Sequence, residues 1–424
     1  MDAGIDPIIG VDLAILDGEG RDAEVTGRAV ILAHGHNGGA GYHALCRLIS
    51  DAHAGTSPSR GRAGRPPGVT LEQLAARVPG RDGEPVLSVL VGPHTDVGRA
   101  MRSRSYAVAR TLFRRWLGVM PRAALAVEVV THLSAPGTNL SLAHAVRMYR
   151  LADEMNIPAV LTNAVRYVDE DGAATADVLD AARALTSMAQ LQDLQPNGQG
   201  WLKPGKQMAA LAAEISGEAG YGRSGAAKLL AGTEALADAC RIDPAADMGW
   251  KQPVVPEAGV IGIDTEPVLE LRGRCEAGIG RRFGHLGGAA EAAMRNRLEH
   301  ELGIIERLGF AAYFLTVAEV STMIRDMGVR AAARGSGASS LVNYLLGISH
   351  VNPLAHDLIF ERFLSRDRST LPDIDIDVES AERHNVYHRI FERFGAQRVT
   401  LMSMQNGYRA RGAVRDAGLA LGLP

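Results

Sequence analysis

Three aspartates at alternate positions, Asp373, Asp375 and Asp377, are the residues of this sequence best spaced for chemistry; Ile374 and Ile376 separate them. On a strand, that alternation turns all three carboxylates to one face and both isoleucines to the other. Carboxylates gathered on one face repel, and burying them together is costly unless cations sit among them. Magnesium suits such a face, because it takes hard oxygen ligands and keeps several of its waters. Two magnesium ions roughly 4 Å apart can stabilise both the attacking and the leaving oxygen of a phosphoryl displacement. The plain alternative is a solvated edge strand whose charges keep it from aggregating.

A second feature precedes the first: Arg334-Gly335-Ser336-Gly337-Ala338-Ser339-Ser340. Small residues let the backbone approach a phosphate, and amides at a helix start, with a serine hydroxyl, donate to it. No Gly-Lys-Ser/Thr follows, so this is not a Walker A loop. A Gly-Ser turn followed by an Asp-x-Asp strand is the layout of a nucleotidyltransferase palm, in which the turn holds a triphosphate and the aspartates hold metals. Arg334, Gly335 and Ser336 are therefore the candidate nucleotide-binding residues. Arg409, Arg411 and Arg415 are candidates for nucleotide or DNA phosphate contact, or else form a solvated helix face.

The elements that must position these residues are legible in outline. Pro7 to Ala14, Ala29 to Ala33, Val86 to Val91, Ala123 to Val130 and Ala159 to Thr162 read as short apolar strands. Tyr42 to Leu48, Arg99 to Trp116, Leu142 to Met155 and Glu214 to Ala239 read as helices. That rhythm argues for an α/β layer or barrel. Gly55 to Gly68, rich in Gly, Ser, Pro and Arg, reads as a flexible loop. In the last third, Leu298, Leu302 and Ile305 recur at helical spacing within Met294 to Leu308. Phe314 to Met327 is a second helix, Val329 to Ala333 a strand, and Ala338 to Leu346 a helix entered from the Gly-Ser turn. The aspartate strand spans Asp373 to Val378, a helix runs from Glu382 to Phe394, and a strand starts at Arg398.

The 424 residues suffice for two or three domains, and 46% hydrophobic content is ordinary for a packed core. A formal net charge of -3 gives no overall basic field, so nucleic acid would be met by a local patch. Basic side chains are nearly all arginine; Lys203, Lys206, Lys228 and Lys251 are the lysines. Cys46, Cys240 and Cys275 form no Cys-x-x-Cys pair, which argues against a zinc knuckle and for a reducing compartment. No apolar run approaches a membrane span and the N-terminus has no secretion-signal pattern, so the reading is cytoplasmic, with no membrane partner.

The order and spacing of Arg334 to Ile348, Asn352-Pro353-Leu354, Asp357 to Leu364 and Leu371 to Asp377 closely resemble the palm of bacterial C-family DNA polymerases, the replicative or error-prone alpha-subunit type. Leu298 to Phe314 looks like the helices that lead into that palm. Tyr408 to Arg415 resembles the error-prone branch more than the main replicative one. Ile8 to Val11, Tyr42 to Ile49 and Thr162 to Tyr167 more loosely resemble the polymerase-and-histidinol-phosphatase (PHP) domain that precedes the palm.

The resemblance implies a partial PHP-type α/β barrel over 1–185, a connecting region over 186–265 and an incomplete mixed-sheet palm over 266–424. It implies transfer of deoxynucleotides from deoxynucleoside triphosphates to a primer 3′-hydroxyl by a two-metal mechanism, on primer-template DNA. A sliding clamp and other replication or mutagenesis subunits are the further partners of the full-length family. Asp375 and Asp377 are then the catalytic carboxylates and Mg2+ ligands, and Asp373 either supports them or joins them. The sequence also departs from the family. Alanine and arginine stand at Ala164 and Arg166, where active PHP sites carry metal ligands, and Ala176 falls at a histidine position. His34-Gly35-His36 and His94 read as ordinary loop histidines. The barrel's early metal motifs, and a third catalytic carboxylate beyond Asp377, are not in the sequence, so the chain reads as truncated at both ends and incomplete for catalysis. Two other readings stand beside this one: a non-catalytic fragment that binds DNA or a partner, and a metal-dependent phosphoesterase of the PHP type.

Overall fold

The computed structural model describes residues 4–18, 23–54, 67–191, 194–250, 252–365, 370–395, 397–400 and 407–423. They form two compact units, Met1–Trp250 with Met404–Pro424, and Lys251–Ser403.

The first unit is built on β1 (Gly10–Asp17), β2 (Glu24–Ala33), β3 (Gly68–Thr70), β4 (Leu87–Val91), β5 (Leu125–Val129) and β6 (Ala159–Leu161). They hydrogen-bond in the order β3-β1-β2-β4-β5-β6. The β1–β2 and β2–β4 pairs are antiparallel, whereas β1–β3, β4–β5 and β5–β6 are parallel. Helices α1 (Ala40–Ala54), α2 (Leu71–Ala75), α3 (Asp96–Arg102), α4 (Tyr106–Val119), α5 (Leu142–Met155), α6 (Ala173–Ala184), α7 (Gly205–Ala219) and α8 (Gly222–Ala239) accompany the sheet. The α/β class expected from the alternation of apolar strands and helices is present. The sheet is mixed, and among the described residues β3 and β6 are its two ends, with no pairing that closes it into a barrel.

Strand alternation divides the packing between the two sheet faces. Ile31, Val89, Val127 and Leu161 pack with Leu48, Phe113, Trp116 and Met148. Leu90, Ala126 and Val160 point to the other face, with Leu236. Local signals set the helix ends. The Ser141 hydroxyl accepts from the His144 amide to start α5, and Asn156, at φ 52°, ends it in the left-handed region that asparagine tolerates. Two expected helices are broken. Arg99–Trp116 divides into α3 and α4, with Arg104 at φ 59° between them. Glu214–Ala239 divides into α7 and α8 at Gly220, at φ +83°, a stop that a glycine allows without strain.

The second unit contains α9 (Pro267–Phe283), α10 (Gly288–Arg307), α11 (Ala311–Asp326), β7 (Ala331–Arg334), α12 (Leu341–Leu345), β8 (Asp375–Val378) and α13 (Arg383–Phe394). Its core gathers Leu271, Leu298, Leu302, Phe314, Leu345 and Phe363. The expected mixed palm sheet is here a two-stranded antiparallel ribbon, β7–β8. Arg398 to Thr400 does not form the expected strand; residues 401–406, where it would continue, and 55–66 of the expected loop lie outside the described residues. A last helix, α14 (Ala410–Ala420), packs on α6 in the first unit.

Candidate active site on the β7–β8 ribbon

The alternating face is real. Asp373, Asp375 and Asp377 are exposed, while Ile374 and Ile376 pack on the helical core. Ladder register places Ala333 opposite Ile376 and Arg334 opposite Asp375. Asp375 and Asp377 are two residues apart on one strand, about 6.6–6.8 Å between Cα atoms at strand rise. The Arg334 guanidinium leans diagonally to Asp377, Nε to Oδ2 at 3.3 Å. Their side chains are 67% and 63% exposed, so this pair contributes only about 0–1 kcal/mol and yields readily to another charge.

The turn meets the strand at Gly335. Its φ of +69° favours glycine, and a Cβ there would lie 3.3 Å from Asp375 Oδ2. Gly335–Ser339 is a 3-10 turn, closed by the Ser339 hydroxyl donating to the Ser336 carbonyl at 2.6 Å; Ser336 itself is exposed. The expected helix from Ala338 to Leu346 is therefore this turn followed by the five-residue α12. The start of α12 is also occupied. Glu301, fully buried on α10, accepts from the amides of Leu341 (3.0 Å) and Val342 (3.1 Å), the Ser340 hydroxyl (2.9 Å) and Arg297 Nε (2.6 Å). The amides expected to attract a phosphate are satisfied by an internal carboxylate instead. Burial pushes the Glu301 carboxyl up, and the Arg297 guanidinium and the two amides pull against that rise.

Two further residues hold the site. Tyr313 on α11 donates its hydroxyl to the Pro372 carbonyl at 2.8 Å, anchoring the residue before Asp373. Burial, with the charges of Asp373 and Asp375 nearby, raises its phenol above the usual range. Asn343 donates to the Gly337 carbonyl at 2.9 Å and fixes the far side of the turn. Neither Glu301 nor Asn343 stood out as a site residue by type. The usable signals were the i,i+4 spacing of Arg297 and Glu301, and Ser340 three residues before Asn343, whose amide its hydroxyl caps at 3.1 Å.

Among the described residues no three His, Cys, Asp or Glu side chains converge as an ion site. Asp375 and Asp377 nevertheless offer acceptor-only oxygens on one open face, and a cationic group already sits at one of them. That donor set fits a magnesium ion that keeps most of its waters and shares substrate phosphates.

The other singled-out residues lie in the first unit, except Cys275 on α9. Arg409, Arg411 and Arg415 are exposed on or just before α14, and Arg415 Nε contacts Asp416 at 2.6 Å. Ala164 has φ 41°, Arg166 binds Asp180 at 2.8 Å, and Ala176 is buried in α6. His34 bonds Ser88 Oγ at 2.8 Å, the His36 amide donates to Asp247, and His94 Nδ1 meets Asn139 Nδ2 at 3.3 Å. Cys46, Cys240 and Cys275 are free thiols; burial pushes Cys240 up to about 11 and Cys275 to about 12.

A ribbon that presents alternating carboxylates beside a Gly-Ser turn is the layout of a nucleotidyl-transferring enzyme. Comparison with known proteins carries this to a family. Residues 269–424 match the bacterial DNA polymerase III alpha NTPase domain. The error-prone DNA polymerase of Symbiobacterium thermophilum is 32% identical over 437 residues, covering 99% of this chain and 36% of that protein. That of Aromatoleum aromaticum is 31% identical over 98% of this chain and 34% of its own length. That of Pseudomonas aeruginosa is 39% identical over 46% of this chain and 18% of its own. Residues 269–424 thus share a domain with the bacterial C-family polymerase alpha subunits, and the chain spans about a third of the length of the first and second of these relatives.

Proposed function

We propose that this chain carries the nucleotidyl-transfer palm of an error-prone DNA polymerase. The observation that supports it most is the open carboxylate face of Asp375 and Asp377 against the Gly335 turn. In this reading residues 266–424 form the palm, with its core in Lys251–Ser403, and residues 1–185 and 186–265 are the PHP-like domain and its connecting region. Asp375 and Asp377 hold magnesium, which would supply charge neutralisation at the triphosphate and at the primer 3′-oxygen. Asp373 supports that pair. Ser336 and the backbone at Gly335 donate to phosphate oxygens, and Arg334 leaves its exposed pair with Asp377 to neutralise them. The primer 3′-oxygen bonds to the α-phosphorus, its proton passes to solvent, and the bond to the bridging oxygen breaks to release pyrophosphate. Primer-template DNA and deoxynucleoside triphosphates are the substrates, the compartment is the cytoplasm, and a sliding clamp and mutagenesis subunits are the partners.

Primer extension with Mg2+ or Mn2+, beside an Asp375→Asn/Asp377→Asn control, tests this. Extension that the control loses supports a competent palm. Extension that survives in the control sinks the assignment of these carboxylates. A folded chain that extends nothing but binds Mn2+ through Asp375 and Asp377 supports an incomplete catalytic fragment. The absence of a three-carboxylate cluster among the described residues favours a second reading, a non-catalytic DNA-binding fragment. Salt-sensitive DNA binding unchanged by Asp377→Asn, without extension, would select it.

A further inference from the structure

We propose that the second unit holds a separate anion site, an arginine-lined pocket that binds a diphosphate group. The pocket, of ≈ 560 Å³, lies among α9, α11 and the segment after α12. Its cationic lining is Arg274, Arg281 and Arg282 from α9, Arg325 from α11, and His350; among the described residues no aspartate or glutamate lines it. The whole chain carries 48 acidic residues against 45 Lys and Arg, so a lining of four arginines and no acid departs sharply from the average surface.

The guanidinium groups converge rather than spread. At Gly347, whose φ is +78°, a Cβ would lie 3.1 Å from Arg325 Nη1 and 3.5 Å from Arg282 Nη2. Two like charges therefore face one small patch of backbone. Part of this arrangement is internal capping. Arg282 donates to the carbonyls of Tyr344 (2.9 Å) and Ser349 (3.2 Å), and its guanidinium lies 4.7 Å from the Tyr344 ring centre. Arg325 donates to the Gly347 carbonyl at 2.6 Å and to the Thr322 hydroxyl at 2.8 Å. These bonds hold both forks rigid and leave other N–H groups to donate. Capping does not account for the rest. Arg274 uses Nε for Glu270 at 2.7 Å, and among the described residues the side chains of Arg281 and His350 make no hydrogen bond or ion pair.

Rigid guanidinium forks match phosphate oxygens in pairs, and their mutual repulsion is relieved by a bound anion. The volume falls in the range of small-ligand sites, about 300–1,000 Å³, and exceeds the need of one phosphate. Ala277, Ala318, Leu345 and Leu346 add apolar wall beside the charges. A diphosphate satisfies this geometry, whether free or carried by a nucleoside. None of these residues lies on β7, β8 or the Gly335–Ser339 turn, so the site stands apart from the polymerase reading.

Calorimetric titration of the 424-residue chain with inorganic pyrophosphate, in chelator to remove metals, tests it. Saturable binding should weaken about tenfold or more in Arg281→Ala/His350→Ala and recover in part in Arg281→Lys/His350→Ala. The share of binding that depends on Arg281 and His350 should persist in Arg334→Ala, whatever the palm itself takes up. Both altered positions are exposed, so the fold should survive. A parallel titration with deoxyadenosine diphosphate separates the sources: equal affinity assigns the site to the diphosphate alone, tighter binding to a nucleotide. No saturation of the unaltered chain at millimolar pyrophosphate overturns the proposal. So does binding indifferent to Arg281→Ala/His350→Ala, or binding lost in Arg334→Ala.

Discussion

Glu128, His132 and His144 in the first unit and the ribbon aspartates with Glu301 in the second meet contrasting surroundings. In the first, Glu128, His132 and His144 are buried around the sheet. Burial pushes the Glu128 carboxyl up, with the Thr162 hydroxyl bond pulling against it, and pushes both histidines down. Burial there favours the neutral forms. In the second unit, β8 turns Asp375 and Asp377 to solvent, Asp373 just before it is exposed as well, and the buried carboxylate Glu301 is surrounded by donors. The difference teaches where charge is available for chemistry: removed in the sheet, displayed on the ribbon, and enclosed at Glu301 to hold the turn that borders the ribbon.

The largest expected effect comes from breaking that enclosure. Glu301→Ala leaves Arg297 and the first amides of α12 without their acceptor, at a cost of about 3–5 kcal/mol. Denaturant unfolding reads it; a loss under about 1 kcal/mol would mean that the carboxylate does not organise the turn.

Next is acid sensitivity in the first unit. His144 is pushed down from 6.5 to about 4, chiefly by burial. The unfolded chain therefore takes up this proton first. The associated stability, about 3 kcal/mol, is present above pH 6.5 and is lost as pH falls through about 4. Stability measured against pH should show this slope, and His144→Gln should flatten it.

Glu128 has the opposite sign. Its raised carboxyl contributes stability that is present below its usual value near 4.5 and is lost as pH rises above it. Glu128→Gln should lack that loss and gain on the unaltered protein toward neutral pH in the same unfolding series. A parallel pH profile for the two proteins would place the Glu128 charge in contact with solvent.

The smallest stability effect belongs to the ribbon. Asp375→Asn and Asp377→Asn act on exposed groups and should change unfolding free energy by no more than about 0.5–1 kcal/mol. The same variants should weaken Mn2+ binding in a titration followed by spin resonance. Marked destabilisation with unchanged Mn2+ binding would reverse the comparison.

Much of this was legible in the residues. Asp373 to Asp377 alternate in exposure with the isoleucines, because side-chain direction on a strand repeats every two residues and needs no tertiary information. The span of α5 was readable for the same local reason: Ser141 caps its start and Asn156 its end. The breaks at Arg104 and Gly220 were hidden inside continuous helical periodicity.

What the sequence by itself determined is the one-sided carboxylate strand, the glycine needed at the turn before α12, and the alternating strand and helix pattern, all properties of neighbouring residues. Only the tertiary structure decided that Arg334 reaches Asp377, that Glu301 fills the start of α12, that Arg282 and Arg325 meet over Gly347, and that α14 packs on α6. These depend on ladder register and helix packing between residues far apart in the chain, which local periodicity does not encode.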